Sequence, residues 1–173
     1  MLHDVQRISV FLIAAGGLLA QTTSIPNPAP GTTFTSAMAG IAQGQAARFN
    51  MLNVAAPSSV TTAICAASVT FYDAAGAVLK MSNVTAAAGA AGHLDLFSDA
   101  DLELPVDQRK DIRVAFTLLA VPAPTPSTAA AVAPVCNPIG NLEVFDEITG
   151  RTQFVVGAMH AIPEAVTATP AVK

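Results

Sequence analysis

Apolar and polar residues alternate most cleanly between Cys65 and Tyr72. Cys65, Ala67, Val69 and Phe71 fall on one face, and Ala66, Ser68, Thr70 and Tyr72 on the other. A period of two predicts a strand with one face on a core and one on water. Asp73-Ala-Ala-Gly76 then supplies a turn, because Asp bonds its own backbone and Gly accepts a positive φ. Ala77-Val-Leu-Lys80 opens a return arm that should run to about Thr85. The arrangement recurs as Leu142-Glu-Val-Phe-Asp146, Glu-Ile-Thr-Gly150 and Arg151-Thr-Gln-Phe-Val-Val156. Two β-hairpins are therefore predicted, each preceded by one of the two cysteines, Cys65 and Cys136. Phe71 and Phe145 take matching last inward positions in this reading, so both are expected to be buried near one another.

Weaker alternation supplies the remaining strands. Gln45 to Val54 places Ala47, Phe49 and Met51 on one face, and the apolar side changes near Leu52, which predicts a bulge or a strand passing between sheets. Phe34 to Ile41 is a strand candidate, and His93 to Phe97 puts Leu94 and Leu96 on one side. Asp111 to Val121 is the longest apolar run, with Ile112, Val114, Phe116, Leu118 and Ala120 on one face. Ala115, Leu119 and Val121 make its other face apolar too, which predicts a central strand covered on both sides. Between these runs lie turn signals: Gly40 and Gly44, Pro57-Ser-Ser59, an Ala/Gly run from Ala86 to Gly92, and acidic Ser98 to Pro105. Five prolines between Pro122 and Pro138 mark a long loop, with room for a helical turn at Ala129 to Ala131. Seven to eight short strands separated by turns predict an antiparallel β-sandwich, with a small antiparallel barrel as the alternative.

Composition narrows the class. The chain is 52% apolar, much of it Ala and Val, and only 12% charged, which favours short strands over long helices. A net charge of −4 offers no footprint for nucleic acid or an anionic membrane. Arg7 precedes an uncharged run from Ile8 to Ala20, the length of a signal-peptide core and short for a bilayer span. Cleavage before Gln21 is expected, with an uncleaved anchor as the alternative. The predicted organisation is a signal peptide at 1–20, a Pro-rich spacer at 21–33, a sandwich domain at 34–158 and a tail at 159–173. The expected location is secreted or periplasmic. Two cysteines in an oxidising compartment usually pair, which predicts a Cys65–Cys136 disulfide; a buried pair of free thiols is the alternative.

Ala46-Ala-Arg-Phe-Asn50, Val69-Thr-Phe-Tyr-Asp-Ala-Ala-Gly76 and Leu142 to Thr152 together carry a resemblance. Over roughly residues 34–157 the chain resembles small exported bacterial proteins with immunoglobulin-like sandwiches. The resemblance implies an immunoglobulin-like fold and an exported location, and no activity. The chain departs from true immunoglobulin domains in lacking any Trp and in lacking Tyr two residues before the second Cys.

Candidate chemistry is sparse. Neither His93 nor His160 has a His or Cys at metal-ligand spacing, and no nucleophile elbow, phosphate loop or dinucleotide fingerprint occurs. Asp95, Asp99, Asp101 and Glu103 form the one acidic cluster. Alternate carboxylates at Asp99, Asp101 and Glu103 suit a hard cation such as Ca²⁺, but Leu104 stands where an EF-hand turn requires Gly. A solvated acidic turn is the plainer reading, and no cofactor or metal is expected. With one Tyr and no Trp, the chain lacks aromatic platforms for sugars or single strands. Asn83-Val-Thr85 is a glycosylation sequon, expected to have no such role in a bacterial-type exported protein. The expectation is therefore a non-enzymatic, exported β-sandwich acting by contact with a protein or cell-surface partner. The alternatives are a ligand-binding protein or hydrolase with a loop-built acidic site, and a subunit of a surface assembly that uses strand addition.

Overall fold

The computed structural model describes residues 28–55, 64–121, 136–157 and 159–161. The expected signal segment, most of the spacer, the Pro57 loop, the Pro-rich stretch from 122 to 135 and the tail beyond 161 lie outside the described residues. Among those residues there are ten strands and no helix: β1 (Thr33–Thr35), β2 (Ala39–Ala42), β3 (Gln45–Asn53), β4 (Ile64–Asp73), β5 (Val78–Ala87), β6 (Ala91–Phe97), β7 (Arg109–Leu118), β8 (Pro138–Asp146), β9 (Thr152–Val156) and β10 (His160–Ala161). The expected strand from Phe34 to Ile41 is thus two strands. The break falls at Ser36, whose hydroxyl accepts the Val114 N–H at 3.0 Å and stands in for a ladder bond. β10 extends the sheet past the expected domain boundary at 158.

All pairings are antiparallel. One sheet runs β10-β1-β7-β4-β5, with β2 alongside β7 beyond β1, and the other runs β6-β3-β8-β9. The inner faces of both sheets share one core. Val69, Phe71, Ile112, Val114 and Phe116 come from the first sheet, and Phe49, Met51, Leu96, Leu142 and Val144 from the second. Phe116 joins the two, with its ring 5.1 Å from that of Phe49 and 4.6 Å from that of Phe34. The predicted inward row Cys65, Ala67, Val69, Phe71 is fully buried.

Three details of the pattern differ from expectation. β3 keeps one phase to its end: Met51 and Asn53 are buried, Leu52 is exposed, and the register with β6 and β8 runs without a break. Leu52 is an outward apolar residue and Asn53 an inward polar one, so hydropathy reversed while geometry did not. β7 is central, between β1/β2 and β4, but its outer residues Arg113, Ala115 and Thr117 are only half-buried. The third difference concerns Phe145, which lies on the outer face in the row of Asn141 and Glu143, while Leu142 and Val144 point into the core. The reason is parity. Phe71 stands two residues before its turn aspartate and Phe145 only one, so Phe145 is the counterpart of Tyr72. Each of these outer rings carries a guanidinium, Arg113 at 4.4 Å over Tyr72 and Arg48 at 5.0 Å over Phe145.

Cys65, at the start of β4, and Cys136, just before β8, form a disulfide with Cα atoms 5.1 Å apart. It joins the approach to the second sheet onto the first at the end opposite the hairpin turns. Buried Asn53 completes this end: its carbonyl oxygen accepts the Ala55 N–H, and its amide donates to the Ala86 carbonyl.

Candidate functional site

Most of the acidic residues gather at the other end of the sandwich, in the hairpin turns and the β6–β7 loop, and the turns explain why Asp73 and Asp146 are there. Asp73 Oδ1 accepts the N–H groups of Ala75 and Ala77, both at 2.9 Å, while Gly76 takes φ 86°. Asp146 does the same work for β8–β9: its Oδ1 accepts the Thr149 N–H at 2.7 Å, the Thr149 hydroxyl at 2.8 Å and the Ile148 N–H at 3.1 Å. Gly150 follows with φ 68°.

The three carboxylates singled out in the sequence sit in the β6–β7 loop beside these turns and point to different partners. Asp99 accepts the Gly44 N–H at 3.0 Å and lies 3.1 Å from the Ser98 hydroxyl. Asp101 accepts the Phe97 N–H at 2.8 Å and pairs with the Lys80 ammonium at 2.7 Å. Glu103 is exposed, with its backbone at φ 50°. The structure therefore brings them into one loop without converging them on a point. Among the described residues, no three His, Cys, Asp or Glu side chains are grouped so that they can hold a metal ion. His93 is exposed on β6, in register with Asn50.

Electrostatics agree with a turn-building role. The Ala77 N–H, and after it Lys110, hold Asp73 below the usual carboxylate range. The N–H and hydroxyl of Thr149 do so for Asp146. Burial pushes Asp101 upward, but Lys80 and the Phe97 N–H outweigh it and the carboxyl ends lowered. Carboxylates held ionised by their own turns are poor general acids near neutrality.

Sequence reasoning missed the partner that locks this end. Glu147 accepts the N–H of buried Ser98 at 3.1 Å and lies 3.2 Å from its hydroxyl, while that hydroxyl accepts the Gln45 N–H. Ser98 has a single hydroxyl proton to share between Asp99 and Glu147. It also missed the polar outer face of the four-stranded sheet. There Arg48 grips Asp95 with two bonds of 2.7 Å, which raises the guanidinium pKa, and Asn50 donates to Asn141 at 3.1 Å and to Glu143 at 3.4 Å. The Thr152 hydroxyl donates to Glu143. The signal was available, since these residues alternate with the core row, but strand pairing had to be known to align them.

The sheet edges differ sharply. On β5, Lys80 reaches across to Asp101 and lies 5.7 Å over the Phe97 ring, a charge turned toward the interior. On β6, Asp95 is bound to Arg48. β9 reads Thr-Gln-Phe-Val-Val, carries no charge, and leaves Phe154 40% and Val155 54% exposed. It ends its sheet, with no described strand on its outer side. Inward or edge charges block strand addition, and β9 has neither.

No protein-family model matches the chain, and neither a curated protein nor a solved structure does so.

Proposed function

We propose that this is an exported, non-enzymatic, immunoglobulin-like β-sandwich that acts by contact, with the β9 edge as its principal docking surface. The single observation that carries this reading is the unguarded β9 edge beside two guarded ones. An added strand would complete the β9 ladder, and Phe154 and Val155 would supply alternating side-chain anchors. The ion-paired and turn-bound carboxylates at the other end support a structural role for the acidic loop rather than a hydrolytic one.

Strand order supports the immunoglobulin-like reading. In variable-type domains the sheets run A-B-E-D and G-F-C-C′. β3, β4, β5, β6 and β7 take the places of B, C, C′, E and F in that chain order. The terminal strands are exchanged: β1 and β2 occupy the seat of G beside β7, and β8 that of A beside β3. The disulfide is compatible with an oxidising, exported setting.

Val155→Lys tests the function. It places a charge on the exposed edge and should leave thermal unfolding within about 0.5 kcal/mol of wild type. Native electrophoresis of gently solubilised producing cells should show the wild-type protein in a larger species and the variant released from it. Identical migration of both would contradict the edge reading.

A further inference from the structure

The seat beside β7 is filled by β1 and β2, and their contacts with β7 would serve equally well for a second copy. Gly31 N–H donates to the Leu118 carbonyl at 2.8 Å, Leu118 N–H to the Thr32 carbonyl at 3.0 Å, and Ser36 N–H to the Val114 carbonyl at 2.9 Å. Thr33 and Thr117 are register partners with hydroxyls 2.8 Å apart. Phe34 stacks on Phe116, and Ile41 is fully buried between the sheets. These contacts go to β7 and the shared core. Continuity with β3 is supplied only by Gln43 and Gly44.

We propose that residues 31–42 are exchangeable, and that two copies form a dimer in which each donates β1 and β2 to the β7 of the other. This goes beyond the β9 reading, because it uses the other sheet and names a second copy of this chain as the occupant. The exchanged form would keep the segment's pairing with β7 and β10 and its core contacts, and would change the hinge, where the Ala42 N–H donates to Gln45 Oε1 at 2.9 Å in the closed form. Exchange of an identical element is a low-cost route to dimers for that reason. The hinge contains the one residue that the closed form specifically requires. Gly44 sits at φ 74°, where residues with a Cβ are disfavoured, and a Cβ there would meet no atom within 4 Å. Its N–H is held by Asp99, and its carbonyl accepts the Glu147 N–H, so the closed turn is a defined structure that can open. A substitution at this position strains the closed turn without crowding anything else.

The full chain with its native disulfide formed allows a direct test. Thr33→Cys with Thr117→Cys places a reporter pair across the β1–β7 register. Isotope-labelled and unlabelled copies are mixed, unfolded with the native disulfide intact, and refolded together at rising concentration. The expected result is a covalent dimer whose peptides join position 33 of one copy to position 117 of the other. In a Gly44→Ala background the dimer association constant should rise on the order of tenfold or more, because both hinges of the dimer escape the positive φ. Only intrachain 33–117 links at every concentration, in both backgrounds, would overturn the proposal. So would a dimer that Val155→Lys abolishes while the 33–117 link stays within one chain, since that dimer would be an edge pairing.

Discussion

The hairpins β4–β5 and β8–β9 share one turn design and end in opposite edges. Both turns hang on an aspartate whose side chain accepts two N–H groups of the turn and on a glycine at positive φ. Both place an aromatic ring under a guanidinium on the outer face immediately before that aspartate. In both, the register shifts just before the turn, between Phe71 and Tyr72 in one and between Val144 and Phe145 in the other. The outer strands then part company. β5 aims Lys80 inward at Asp101 and is approached near its end by β6, where a Cβ on Gly92 would meet the Thr85 carbonyl oxygen at 2.4 Å. β9 is short, uncharged and half-exposed. A shared turn with unlike edges means that, between these two hairpins, edge protection is written in the return arm, and that among the described residues β9 lacks the charge that β5 carries.

The comparison can be broken at its core first. Phe71→Ala empties a fully buried site and should cost about 3–5 kcal/mol in denaturant unfolding. Phe145→Ala removes an outer, half-buried ring and should cost under about 1.5 kcal/mol. Equal losses would return Phe145 to the interior. Next comes the staple that links the approaches to the two hairpins. Replacing Cys65 and Cys136 with Ser should lower stability by about 2–4 kcal/mol, given a sequence separation of 71. The reduced wild type should match the double variant in the same denaturant titration.

Much of this was legible in the sequence, for reasons that vary by element. The β4 row, the turn aspartates and glycines, and the disulfide partners followed from period two, turn chemistry and the presence of two cysteines. Phe145 was misplaced because the two hairpins were aligned on Phe, whereas the turn aspartate sets the phase. Leu52 misled because an exposed Leu and a buried Asn reverse hydropathy without reversing the strand. Asp99, Asp101 and Glu103 were found as a cluster, but their separate partners, Gly44 and Lys80 among them, lie 55 and 21 residues away for the first two. Glu147, Ser98 and the Arg48–Asp95 pair needed the strand order, which alternation alone does not supply.

Smaller effects sharpen the equivalence of the turns. Gly76→Ala and Gly150→Ala should each cost about 1 kcal/mol, through the positive φ alone, since a Cβ at either position meets nothing within 4 Å. A large difference between them in thermal melts would show that the turns are not equivalent. The pH dependence has a definite sign. Asp73, Asp101 and Asp146 have lowered folded pKa values, so their contribution is present above the unfolded value of about 4 and is lost as pH falls through the folded values. The melting temperature should therefore drop below about pH 4. Asp73→Asn with Asp146→Asn should flatten that drop, because Asn keeps an acceptor for the turn without a proton to gain.

The unguarded edge is tested most directly by a photo-crosslinking residue placed at Val155 and, separately, at Met81 on the outer face of β5, which is 66% exposed. Illumination of producing cells should yield an adduct from position 155 and none from position 81, even though position 81 is the more exposed. Adducts from both positions in equal yield, or from position 81 alone, would contradict the assignment of β9 as the docking edge.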